Sequence, residues 1–125
     1  MVAMRGLGEL EAAVMNVMWS SEAPMSVRAV LDALPRRKPL AYTTVMTVLN
    51  NLHRKEYVRR EKDGRAFLYE PSMSRSQAAA DAMRQILNET ADTETALLLL
   101  ARSASETETQ ALRRGLDRRR GRGRA

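Results

Sequence analysis

The sequence predicts a mainly α-helical chain with one small β-hairpin: three short helices, the hairpin, then a helical tail. Three observations carry this. Apolar residues recur at three- and four-residue spacing through 9–20, 27–34 and 43–55. Two strand-like runs, YVRREK and RAFLYE, surround Asp63-Gly64, the strongest short hairpin signal. Beyond Pro71, two capping-box patterns and Ala- and Leu-rich stretches mark further helices.

In the first helix, Leu10, Val14, Val17 and Met18 share a face and Trp19 closes the run; the loop SSEAPM ends it, with Pro24 as the breaker. Ser26 is placed to cap the second helix, whose stripe is Val27, Val30, Leu31 and Leu34. Pro35 stops it, and Arg36-Arg37-Lys38-Pro39 forms a basic loop. The third helix spans about Thr43–Lys55. At 100° per residue, Val45, Val48, Leu49 and Leu52 cluster on one side. Thr43, Thr47, Asn50 and Arg54 cluster opposite, flanked by Thr44 and Asn51. A two-residue Asp63-Gly64 turn would pair Lys62 with Arg65, Arg60 with Phe67, and Val58 with Tyr69. Val58, Phe67 and Tyr69 then share a face that closes over the helices, with Arg59, Lys62 and Arg65 at the edge and tip. Pro71 ends the second strand. Helix, helix, helix, hairpin within about 70 residues is a winged helix-turn-helix.

The tail opens at Ser74-x-x-Gln77, with Ala78, Ala82, Met83 and Ile86 on one stripe of a helix to about Thr90. A second helix runs through TETALLLLARS, and Ser105-x-x-Glu108 opens a third segment with Ala111, Leu112 and Leu116. Leu97, Leu98, Leu99 and Leu100 are consecutive, so apolar side chains face all round that helix. Burying one leucine contributes about 1.5–3 kcal/mol, and so short a tail has little core of its own. Packing against a second copy is the natural solution, through Met83, Ile86, Leu97–Leu100, Leu112 and Leu116. The expected organisation is a DNA-binding winged helix over residues 1–71, a helical dimerisation region over 72–117, and a disordered, Arg- and Gly-rich basic tail over 118–125.

The charge distribution points to a polyanion. The net charge is +6. Residues 1–71 carry a net +3, residues 72–117 a net −2, and residues 118–125 a net +5. Within 36–62, eight Lys and Arg face only Glu56 and Glu61, a local excess that suits DNA. There is no cysteine, which excludes disulfides, thiolate metal sites and cysteine catalysis. His53 is the only histidine, and no spacing builds a catalytic triad, phosphate loop, dinucleotide fingerprint or metalloprotease helix. The chain reads as no enzyme, with no metal and no cofactor. Its start does not read as a signal peptide, and its longest apolar run, Ala96–Ala101, is far too short for a membrane span, so a cytoplasmic location is expected.

The polar face of the third helix then acquires a purpose. In a helix-turn-helix the second helix of the motif lies in the major groove. Threonine offers a hydroxyl for phosphate or base edges and a methyl for thymine. Asn50 could read adenine, Arg54 and Lys55 could reach phosphates, and Tyr42 could donate its hydroxyl to one. Lys62 and Arg65 at the wing tip would meet the adjacent groove or backbone. Taken singly, Thr43 or Thr44 is as well explained as a cap of a surface helix, and a basic hairpin tip as protection against strand pairing. Together, helix and wing favour DNA. A winged helix used only for protein contact, or non-specific nucleic-acid binding, is the alternative; the former predicts that Thr47→Ala and Arg65→Ala leave DNA binding unaltered.

ELEAAVMNVMW, VRAVLDAL, LAYTTVMTVLNNLHRKEYV and DGRAFLYEP, in this order and spacing over residues 7–71, closely resemble the penicillinase-repressor family (the BlaI/MecI group). The resemblance implies a homodimeric repressor whose winged helices bind the halves of a dyad operator, often with TACA/TGTA-like half-sites, and whose C-terminal helices intertwine. Such proteins repress β-lactam or other envelope-stress genes and commonly their own. By position, Thr43, Thr44, Thr47 and Asn50 would face the groove and Arg65 would sit on the wing. Well-known members are released by cleavage at an Asn-Phe bond in the dimerisation helices. Here Asn88 precedes Glu89 and the only Phe is Phe67, so that bond is absent. The copper-responsive branch uses Cys-x-Cys pairs, which this chain lacks.

Overall fold

The computed structural model describes residues 7–35 and 40–123, and the chain divides after Arg84 into two compact units. The expected basic loop at 36–39 lies outside the described residues. The first unit contains α1 (Glu9–Trp19), α2 (Val27–Ala33), α3 (Tyr42–Arg54), the antiparallel hairpin β1 (Val58–Asp63) and β2 (Ala66–Pro71), and the first turns of α4 (Arg75–Asn88).

Local chemistry sets the helix ends. The Gly8 N–H donates to the Glu11 carboxylate at 3.0 Å, starting α1. Ser26 caps α2 by accepting the Ala29 N–H at 3.1 Å, as its sequence position indicates. α3 begins at Tyr42, one residue before the expected start, with Ala41 as N-cap and no side-chain cap. It closes through Tyr57 N–H to Leu52 C=O and Glu56 N–H to His53 C=O, both 3.0 Å, the paired bonds of a Schellman turn. Glu56 occupies the left-handed position there, at φ 68°, where glycine is usual. Ser72 braces the turn: its hydroxyl donates to the Glu56 carbonyl at 2.6 Å and its N–H to the Tyr57 carbonyl at 2.9 Å.

The core forms where the three helical stripes and the hairpin converge. Val14, Met15 and Met18 of α1 meet Val30 of α2, Val45, Leu49 and Leu52 of α3, and Val58 and Tyr69 of the hairpin. The hairpin is tied in by a bridge: Met25 and Tyr69 exchange two backbone hydrogen bonds of 2.8 Å. Trp19 donates its indole N–H to the Met73 carbonyl at 3.0 Å, and the Arg75 guanidinium lies 5.5 Å from its ring centre.

The hairpin register differs from expectation by two residues. Val58 pairs with Pro71, Arg60 with Tyr69, Lys62 with Phe67, and Asp63 with Ala66. The turn is therefore Gly64-Arg65 rather than Asp63-Gly64. Gly64 alone carries a positive φ, 65°, as a turn with glycine at its first central position requires. A two-residue shift preserves the period-2 alternation, so Val58, Phe67 and Tyr69 still share a face.

In the tail, the Ser74 hydroxyl accepts the Gln77 N–H at 3.0 Å to start α4, while the Gln77 side chain turns to Asp81 instead of completing a capping box. Asp92 caps α5 (Thr93–Ser103) through the Thr95 N–H at 3.1 Å. Asp92 is held below the usual carboxylate range by the Thr95 hydroxyl and then the Thr95 N–H. Ser105 and Glu108 complete a reciprocal capping box at 3.1 and 2.8 Å, opening α6 (Glu106–Gly123). The helix thus runs into the arginine segment that composition marked as disordered. Arginine is a good helix former, and cationic side chains near a helix C-terminus oppose the negative end of its dipole. Residues 124–125 lie outside the described residues. Met83, Ile86, Leu97–Leu100, Leu112 and Leu116 are all 44–59% exposed in the single chain. Among the described residues, no helix is long and apolar enough to cross a membrane.

Candidate nucleic-acid interface

α3 presents the sequence-marked face to solvent because its opposite side is anchored. Val45, Val48, Leu49 and Leu52 are buried, which leaves Thr43, Thr44, Thr47, Asn50 and Arg54 exposed. The N-cap at Ala41 removes the alternative in which Thr43 or Thr44 caps the helix; both lie inside the first turn. Tyr42, 44% exposed, opens that turn. With no side-chain cap, the backbone N–H groups of Tyr42 and Thr43 have no acceptor among the described residues, and the helix dipole adds positive potential there. Such an end suits a phosphate oxygen. Thr47 is exposed and donates its hydroxyl to the Thr43 carbonyl at 2.9 Å, which uses its proton and leaves the oxygen able to accept.

Two residues expected to touch DNA have partners within the domain. Asn50 Oδ1 accepts from Arg60 at 3.0 Å and from the Tyr69 hydroxyl at 3.3 Å. Both partners are donors, which fixes the amide with its oxygen inward. A bidentate adenine contact needs that oxygen as acceptor; here it forms a latch between α3 and the wing. Lys55 lies past the end of α3, and its ammonium meets both Glu11 carboxylate oxygens at 2.9 and 3.0 Å. The ammonium thereby clamps α3 on α1. Burial would push the Glu11 carboxyl up, but the Gly8 N–H and the Lys55 ammonium outweigh it and hold the group below its ordinary range.

The latch is larger than the sequence indicated. The Arg60 guanidinium lies 4.3 Å from the Phe67 ring centre, and Phe67 meets Tyr69 edge-on at 6.3 Å. Arg60, Phe67 and Tyr69 thus set the wing against α3. The observed register, which puts Arg60 opposite Tyr69, is the signal that would have found them. At the far end, Arg65 sits in the exposed turn and Lys62 is exposed one pair further back. Arg59 is held by Glu70 at 2.8 Å on the outer face. The structure therefore exposes Thr43, Thr47 and Arg54 on one face of α3, with Thr44 on its flank and Tyr42 at the helix start. Lys62 and Arg65 crown a hairpin latched to that helix. Among the described residues, no group of three His, Cys, Asp or Glu could hold a metal ion.

This arrangement can present hydroxyls, methyls and cations to an extended polyanion, and known proteins resemble it. The family model described as penicillinase repressor matches residues 7–118. The chain is 40% identical over 119 residues to the transcriptional regulator BlaI of Mycobacterium tuberculosis, covering 93% of this chain and 86% of that protein. Among solved structures, the DNA-binding domain of the repressor BlaI is 26% identical, with a TM-score of 0.50, over 61% of this chain and 92% of that one. MepR, a transcription regulator of a Staphylococcus aureus multidrug efflux pump, matches 93% of this chain and 79% of its own at 16% identity and TM-score 0.50, a likeness of fold alone. The family and these relatives are transcriptional regulators rather than enzymes. With the match running from the start of α1 into the last helix, the chain belongs to the penicillinase repressor family.

Proposed function

We propose that the protein is a DNA-binding transcriptional repressor that occupies a dyad operator as a homodimer. α3 lies in the major groove and the wing tip meets the adjacent backbone or minor groove. The observation that carries this is the joint exposure of Thr43, Thr44 and Thr47 on α3 with Arg65 on a wing latched to the same helix. Phosphates bind at Tyr42, Arg54, Lys62 and the first amides of α3, fixing register, and the threonine face reads bases. Transcription is blocked by occupancy, in the cytoplasm, at the protein's own gene and at a β-lactam or other stress-response gene.

The dimer forms through the exposed leucines of the tail. Leu97–Leu100 in α5 and Leu112 and Leu116 in α6 are too exposed to have been satisfied within one chain. Two linked half-site contacts raise effective concentration, so whatever favours the dimer favours DNA. Release follows a route other than Asn-Phe cleavage, because the chain has no such bond.

Fluorescence anisotropy on the DNA upstream of the protein's own gene, against a scrambled duplex at two salt concentrations, tests the reading. Preference for the native duplex that survives higher salt is expected. Equal binding that fades together would refute sequence reading. Sedimentation showing only the 14.1 kDa species at micromolar concentration would refute the dimer.

A further inference from the structure

The chain's formal charge is concentrated at one end. Of 21 Lys/Arg and 15 Asp/Glu, residues 113–125 hold seven arginines and Asp117. The remaining 112 residues hold 14 of each, so the entire net +6 sits in the last thirteen residues. Through Gly123 this segment is helix rather than loose tail. Arg113, Arg114, Arg118, Arg119 and Arg120 are exposed, and among the described residues none has a carboxylate within ion-pair distance. Asp117 lies within one turn of four of them and still forms no pair among the described residues.

We propose that the arginine-rich end of α6 is a second DNA-contacting element, which grips phosphates without reading sequence. The inference rests on the operator-binding reading for the polyanion it meets. The spacing fits. Arg114 and Arg118, four residues apart on one side of the helix, stand about 6 Å apart along its axis, close to two phosphate steps. A strand of duplex DNA carries one phosphate per about 3.4 Å. At 100° per residue, Arg114 and Arg118 lie opposite the Leu112 and Leu116 stripe, Arg113 and Arg120 on its flanks, and Arg119 on the stripe itself. A helix that packs its leucines against a second copy therefore keeps Arg114 and Arg118 outward. Arginine's planar fork binds phosphate oxygens in pairs. A lipid surface fits less well: from residue 111 onward only Ala111, Leu112, Leu116 and Ala125 are apolar, with no aromatic anchor.

The test compares the full-length protein with the triple variant Arg114→Gln, Arg118→Gln, Arg120→Gln. Glutamine keeps helix propensity and removes only charge. Sedimentation and circular dichroism establish that assembly and helix content are kept. Binding to native and scrambled duplexes is followed by anisotropy across a salt series. Every phosphate that the variant leaves unneutralised lowers the slope of log K against log salt by about 0.9. The variant is expected to lower it by about 2 or more on both duplexes, roughly a 16-fold change in the affinity ratio between 50 and 200 mM salt. Preference for the native duplex stays intact. An unchanged slope would overturn the proposal, as would weakened binding to phosphatidylglycerol vesicles with the DNA slope intact. If the unaltered protein fails to discriminate the duplexes, the operator reading fails, and the slope comparison still decides on the arginines.

Discussion

Replacing Asn50 by alanine is expected to destabilise the first unit by about 1–3 kcal/mol, although the residue is exposed and alanine is the better helix former. Tyr69 is 2% exposed, and its hydroxyl donates to Asn50 Oδ1. Stranding a buried donor costs about 1–3 kcal/mol. The partly exposed Arg60 forfeits its 3.0 Å bond but keeps the Phe67 ring and reaches water, a loss of about 0.5–1 kcal/mol. Helix propensity returns at most about 0.7 kcal/mol. Urea unfolding followed by tryptophan fluorescence reads this unit directly, because Trp19 is the only tryptophan and is bonded to Met73 within it. Tyr69→Phe should couple to Asn50→Ala by about 0.5–1.5 kcal/mol in a double-mutant cycle. Operator affinity should fall with stability, because the wing is no longer held against α3. The opposite pattern, stability unchanged or raised while preference for the native duplex disappears, would refute the latch and return Asn50 to base reading.

Other outcomes follow from neighbouring residues. Arg65→Ala at the wing tip should weaken binding to native and scrambled duplexes alike and reduce the salt slope by about 1; loss of discrimination with an unchanged slope would contradict a phosphate role. Glu11 has a folded pKa below its unfolded one, so its stabilisation is complete above the unfolded value and is lost as pH falls through the folded value. Lys55→Met should therefore flatten the acid limb of urea midpoint against pH while leaving the Gly8 contribution, and an unaltered limb would rule the clamp out. Glu56→Gly should stabilise by about 0.5–1 kcal/mol, because glycine takes the left-handed φ without the Cβ penalty. A drop in the thermal midpoint would show that the Glu56 side chain makes a compensating interaction.

Element identity and order were legible because each helix carries an uninterrupted stripe and each break a proline or cap, as at Ser26. The exposed threonines followed from the same geometry, since burying Val45, Val48, Leu49 and Leu52 dictates which side faces out. The hairpin register was not legible from Asp63-Gly64, because one glycine serves either turn frame and the two differ by an even shift that leaves the apolar face intact. The latch and the clamp were hidden for a different reason. Asn50 with Tyr69, and Lys55 with Glu11, are 19 and 44 residues apart in sequence, and a polar residue on an exposed face carries no mark of its partner. The helical state of 118–123 was obscured by composition, since arginine-glycine runs usually mean disorder while arginine alone favours helix.

The bare start of α3 has a consequence for how this protein can be improved. Serine or aspartate at Ala41 would claim an amide of the first turn and add about 1 kcal/mol of stability. A screen for heat resistance would select that change early. The same side chain would crowd the first-turn amides that a phosphate oxygen would use, and aspartate would set a negative charge against the DNA backbone. Thermal tolerance and operator occupancy thus compete at a single methyl group, and a stabilised variant chosen without DNA in the assay would be a poorer regulator.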